Sequence, residues 1–90
     1  MPTVSEFFGI KIYMYYAHGK HKAPYFHARY QGQDASFSII SGRILAGQLP
    51  PKVVKIIKSW NKKHKNELLI NWSKIQSHEI PKRITGADYD

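Results

Sequence analysis

The stretch Tyr25-Phe26-His27-Ala28-Arg29-Tyr30-Gln31-Gly32-Gln33-Asp34-Ala35-Ser36-Phe37-Ser38-Ile39-Ile40 reads as two strands joined by a tight turn. Phe26, Ala28 and Tyr30 alternate with Tyr25, His27 and Arg29, and Ala35, Phe37 and Ile39 alternate with Asp34, Ser36 and Ser38. A period of two is the pattern of a strand with one apolar face. Gln31-Gly32 suits a two-residue hairpin turn, because glycine accepts the positive φ that such turns need. Pairing about that turn sets Tyr30 opposite Gln33, Arg29 opposite Asp34, Ala28 opposite Ala35, His27 opposite Ser36 and Phe26 opposite Phe37. Like meets like on each face, whereas a slip of one residue would set apolar against polar throughout.

Working outward, Gly9 to Tyr16 alternates Ile10, Ile12, Met14 and Tyr16 with Lys11, Tyr13 and Tyr15, a further strand, and Ala17 to Pro24 is the loop that follows it. Downstream, Ser41-Gly42 turns the chain into a short edge strand, Arg43 to Ala46. Pro50-Pro51 then marks a helix start, where proline's missing N–H costs nothing. Val53, Ile57, Trp60, His64, Leu68, Trp72 and Ile75 form one stripe at helical spacing, with Lys52, Lys55, Lys58, Lys62, Lys63 and Lys65 on the opposite side. A continuous helix with this pattern would run about 37 Å at 1.5 Å per residue. A break near Lys65-Asn66, with Asn66 capping a second helix from Glu67, is the alternative. Ile80 to Ile84, containing Pro81, reads as a short extended return. The fold class is therefore α+β: an N-terminal antiparallel sheet of three to four strands packed on one long C-terminal amphipathic helix, kinked or continuous. Residues 1–85 form a single domain and 86–90 a polar C-terminal tail.

The chain has 90 residues, 42% apolar and 13% aromatic, which fits one compact domain and argues against disorder. At this length only roughly 60 to 65% of the unfolded surface is buried. The aromatics must therefore carry much of the core, and Trp60 and Trp72 are read as core anchors. The absence of cysteine excludes disulfide scaffolds, cysteine-ligated zinc and thiol catalysis. With no secretory signal pattern at the N-terminus and no apolar run of membrane-spanning length, the expectation is a soluble cytoplasmic protein without membrane contact.

The net charge is +8, and residues 52–65 hold six lysines and no acid, so all but two of those charges sit on one helix. A helix so free of glutamate suits a polyanion or a small acidic partner protein. The polar face of the sheet collects Lys11, Tyr13, Tyr15, Tyr25, His27, Arg29, Asp34, Ser36 and Ser38. There His27 is the candidate acid or base, with Arg29 and Tyr15 beside it as the catalytic set. Lys11 and Arg29 would hold phosphate, and Tyr13 and Tyr15 would stack on bases of single-stranded RNA. Tyr25, His21 and the helical Lys52, Lys55, Lys58, Lys62 and Lys63 complete the expected nucleic-acid or partner surface. The bland reading is a wet sheet face.

His18, His21 and His27 raise a metal-dependent enzyme, but their spacing matches no compact ligand pattern and no acid completes a set, so neither metal nor cofactor is expected. His21 and His27 would rather brace the loop through hydrogen bonds. His64, within the apolar stripe, reads as a core or rim histidine.

Met1-Pro2, Phe7-Phe8-Gly9-Ile10, Met14-Tyr15 and His21 through Pro24 to Phe26-His27 resemble a family of short prokaryotic proteins of unknown function. Its members open Met-Pro, continue Phe-x-Gly-Ile and Met-Tyr, and then carry His-x-Pro-Pro-His-Phe-His. The likeness extends to Leu49-Pro50, Trp60 and the segment Glu67-Leu68-Leu69-Ile70-Asn71-Trp72. Ala23 and Tyr25 stand where the family has Pro and His, which weakens a metal or two-histidine proposal. His21, Phe26, His27 and Tyr30 match position by position. What the resemblance implies is a two-gene arrangement counted among toxin–antitoxin modules. The expected function is thus a toxin component acting on RNA or translation through a basic surface, with ribonuclease activity as its enzymatic form. The competing expectation is a non-catalytic interaction module for an acidic partner.

Overall fold

The computed structural model describes residues 3–16 and 23–89. Five strands, β1 (Thr3–Phe7), β2 (Ile10–Tyr13), β3 (Tyr25–Tyr30), β4 (Gln33–Ser38) and β5 (Ile44–Gly47), form one sheet in chain order, each pair antiparallel. Helices α1 (Pro51–Lys63) and α2 (Lys65–Gln76) follow, then a 3-10 turn at Ala87–Tyr89.

The α+β class and the antiparallel sheet agree with expectation, as does the β3–β4 register, which pairs Arg29 with Asp34, His27 with Ser36 and Phe26 with Phe37. The sheet has five strands rather than three or four. The additional one is β1, whose buried Val4, Ser5 and Phe7 break the period of two because a bulge lies between Thr3 and Ser5. Phe8 and Gly9, at φ 51° and 76°, make the two-residue turn between β1 and β2. Gly9 therefore belongs to a primed turn and not to the strand that follows it. Phe8 in the left-handed region is an outlier for a bulky residue and costs about 1–3 kcal/mol.

The apolar face of the sheet carries Ile10, Ile12, Met14, Phe26, Ala28, Ala35, Phe37 and Ile39 against Val53, Ile57, Trp60, Leu68 and Ile75 of the helices, all buried. Phe26 stacks on Phe37 at 5.4 Å, and Trp60 meets Phe26 edge-on at 5.9 Å. Burying a side chain of the Val, Leu or Phe class contributes about 1.5–3 kcal/mol, so this interface is the main source of stability.

The helix is not continuous. His64, at φ −111° and ψ 22°, separates α1 from α2, one residue before the expected break. Its ring packs on Trp60 at 5.6 Å, and its Nδ1 lies 2.7 Å from the Glu67 carboxylate. The His64 N–H still donates to Trp60 O, and Leu68 N–H donates to His64 O. The apolar stripe therefore keeps its phase through the break. Helix α2 ends in a Schellman cap, with Glu79 N–H on Lys74 O and His78 N–H on Ile75 O.

Beyond α2 the chain runs back along β1. Asn71 donates to Lys82 O at 2.7 Å and accepts from Lys82 N–H at 2.9 Å. Ile84 N–H donates to Val4 O, Ser5 Oγ donates to Ile84 O, and Trp60 Nε1 donates to Thr85 O. This return covers the β1 edge of the sheet, and Gly86 is buried against Phe7.

Candidate functional site

On the sheet face turned away from the helices, the strand registers alone bring the candidate residues together. Tyr13 of β2 is opposite His27 of β3, which is opposite Ser36 of β4; Lys11, Arg29 and Asp34 form the next such row. Directly opposed residues have Cβ atoms about 4.5–5.5 Å apart, so each row is a contact set.

His27 is the centre of an aromatic cluster. Tyr13 lies parallel to the imidazole, with centroids 5.2 Å apart and planes 13° apart. Tyr15 and Tyr25 meet it edge-on at 4.9 Å and 5.3 Å. Ser36 Oγ lies 3.3 Å from His27 Nδ1 and so engages one ring nitrogen. Burial of the ring lowers the His27 pKa below its ordinary 6.5, and the nearby Asp34 charge only partly opposes that. The imidazole is consequently neutral at pH 7 and able to accept or relay a proton.

Tyr13 donates through its hydroxyl to Asp34 Oδ1 at 3.0 Å. Its pKa is pushed up to about 12, first by burial and then by the bond to Asp34. Arg29 Nε lies 3.9 Å from the same Asp34 oxygen, with both side chains about half exposed. That contact is worth little to stability and leaves the guanidinium open to an incoming anion.

Of the expected catalytic set, His27 and Tyr15 touch and Arg29 sits one row along. Tyr25 belongs to the cluster, and Lys11 is exposed opposite Arg29. Tyr13 is 6% exposed and supports the imidazole, whereas Tyr15 is 37% exposed and its ring borders both Tyr13 and His27. Lys52, Lys55, Lys58, Lys62 and Lys63 are exposed on α1, which packs on the other face of the sheet, so they do not join the His27 cluster. His18 and His21 lie outside the described residues. Among the described residues, no group of His, Cys, Asp or Glu is placed to hold a metal ion, and no helix is long and apolar enough to cross a membrane.

Asp34, Ser36 and Trp72 also contact the cluster, beyond the expected site residues. Asp34 and Ser36 follow from the hairpin register, which already sets them opposite Arg29 and His27. Trp72, whose ring lies 5.2 Å from Tyr25, has no such signal, because a core-stripe residue reaches the edge of the polar face only through the placement of α2. Gln76 of the same helix donates to Tyr15 O at 3.5 Å.

None of the curated proteins and none of the solved structures compared with the chain matches it. Residues 9–73, the span from the β1–β2 turn to the last turn of α2, match the model of a family described as a domain of unknown function (DUF4160), and the chain belongs to that family.

Proposed function

We propose that the protein acts on single-stranded RNA across the polar face of its sheet. The observation that carries this reading is the ring cluster centred on His27, with an exposed tyrosine on one side and the exposed cations Lys11 and Arg29 in the adjacent row. Aromatic faces accept any base at about 1–3 kcal/mol per stacked base, and flanking cations hold the backbone. In this reading Tyr15 stacks on a base, Tyr13 and Tyr25 hold the imidazole, and Lys11 and Arg29 contact phosphate. If the bound strand is cleaved, His27, neutral at pH 7, takes the proton of the ribose 2′-hydroxyl, whose oxygen bonds to phosphorus as the P–O5′ bond breaks. The leaving 5′-oxygen takes a proton from water, and Arg29 stabilises the phosphorane charge. A toxin component acting on RNA or translation is the cellular form of the same proposal.

Fluorescence anisotropy with a labelled single-stranded RNA tests it. Affinity falls with rising salt, with a slope of about 0.7 per phosphate contacted on a single strand. Tyr15→Ala and Arg29→Ala weaken binding, and Arg29→Ala also flattens the salt slope. Cleavage, read on a gel, stops in His27→Ala. Unchanged affinity in both binding variants rejects the face as the RNA surface. If induced expression of wild type and of His27→Ala leaves growth equally unaffected, the toxin form fails.

A further inference from the structure

A second surface lies on the helical side of the molecule, apart from the His27 cluster and independent of the RNA reading. A groove of about 340 Å³ opens between the β1–β2 turn, α1 and the 3-10 turn. Phe8, Ile56, Trp60 and Ala87 are its apolar lining, and Lys55 and Lys63 stand among them. Among the described residues, no carboxylate lines it.

Phe8 is the unusual member. It is 58% exposed although aromatic, and it holds φ 51° at the first position of a primed turn, where asparagine is the low-energy choice. A bulky ring kept in a strained backbone conformation and pointed at water contributes little to the core. Strain of this kind concentrates at contact sites.

We infer that this groove docks an acidic amphipathic segment of a partner protein, whose apolar side chains enter between Phe8 and Ile56 while its carboxylates meet Lys55 and Lys63. Charge selects the occupant. A second copy of this chain would bring another +8 against a groove already lined by Lys55 and Lys63. A nucleobase would find only the Ser59 hydroxyl among the uncharged lining side chains for its polar edges. An apolar anchor flanked by carboxylates satisfies both the apolar and the cationic lining.

The probe is a fluorescein-labelled helical peptide with leucines on one face and glutamates on the other, titrated with the full chain. Saturable binding is expected, weakened about tenfold by Phe8→Asn, with a comparable loss in the Lys55→Glu, Lys63→Glu double variant. Lys58→Glu, Lys62→Glu, on the other flank of α1, retains more of the affinity although its net charge is the same. Phe8→Asn also relieves the turn, so its Tm rises by roughly 4 °C while binding falls, which separates a contact from a folding role. The inference is overturned if no saturable binding occurs, if Phe8→Asn binds like wild type, or if a peptide with serine for leucine binds equally. Single-stranded RNA that binds the groove and is lost with the same variants overturns it as well, and assigns the groove to nucleic acid.

Discussion

The His27 imidazole lies face to face with the Tyr13 ring, 5.2 Å away and 13° from parallel. Enclosure by this ring and its neighbours disfavours the imidazolium, which lowers the His27 pKa from 6.5. Because the folded-state pKa is depressed, the unfolded chain binds the proton more readily. The contribution to stability is therefore fully present above pH 6.5 and is lost as pH falls through the folded pKa. NMR titration of the ring is expected to give a midpoint below 6.5. Denaturation midpoints measured across this range fall toward acid in wild type and fall less in His27→Phe. A ring that titrates at or above 6.5 contradicts the enclosure.

Tyr13 makes the complementary prediction at alkaline pH. Its pKa is raised from 10.0 to about 12, so the stability tied to it is fully present below pH 10 and is lost as pH rises through the folded value. A difference absorbance titration between wild type and Tyr13→Phe isolates this phenol. Asp34→Asn removes a charge and weakens the acceptor, and is expected to bring the phenol's midpoint down. An unmoved midpoint would contradict the role of Asp34 and leave burial and the neighbouring Tyr15 phenol as the causes that raise it.

The return of the chain along β1 hangs on Asn71, which both donates to and accepts from the Lys82 backbone. Asn71→Ala removes both part-buried hydrogen bonds to the Lys82 backbone and is expected to cost about 1–3 kcal/mol in urea denaturation. Asn71→Asp keeps the acceptor but opposes the Lys82 carbonyl with a carboxylate, so it does not rescue the alanine variant. In both, the Ile84 amide, bonded to Val4 O, exchanges with solvent faster.

The β3–β4 hairpin was legible because two local signals agree, the Gln31-Gly32 turn and the like-on-like pairing of Phe26 with Phe37 and His27 with Ser36. Pairing of β2 with β3 brings the polar face of β2, with Lys11, Tyr13 and the Tyr15 that follows, beside His27, but the register that selects Tyr13 is not written in the sequence. What escaped has physical causes. The bulge after Thr3 hides β1 from a search for alternation, and Gly9 resembles the start of a strand when Phe8, an improbable turn residue, precedes it. His64 continues the apolar stripe, so periodicity cannot place the helix break there. The break coincides with two side-chain contacts, to Trp60 and Glu67. Trp72 reaches Tyr25, and Asn71 reaches Lys82, only through the way α2 is set against the sheet and the returning chain.

Recognition of RNA by the polar sheet face is tested most sharply by titrating isotope-labelled protein with an unlabelled single-stranded RNA, followed residue by residue in amide and imidazole NMR spectra. The largest shifts are expected at Lys11, Tyr15, His27 and Arg29, with smaller ones at Tyr13 and Tyr25. Shifts confined to α1, at Lys52 through Lys63, with the His27 resonances unmoved, would contradict recognition by that face.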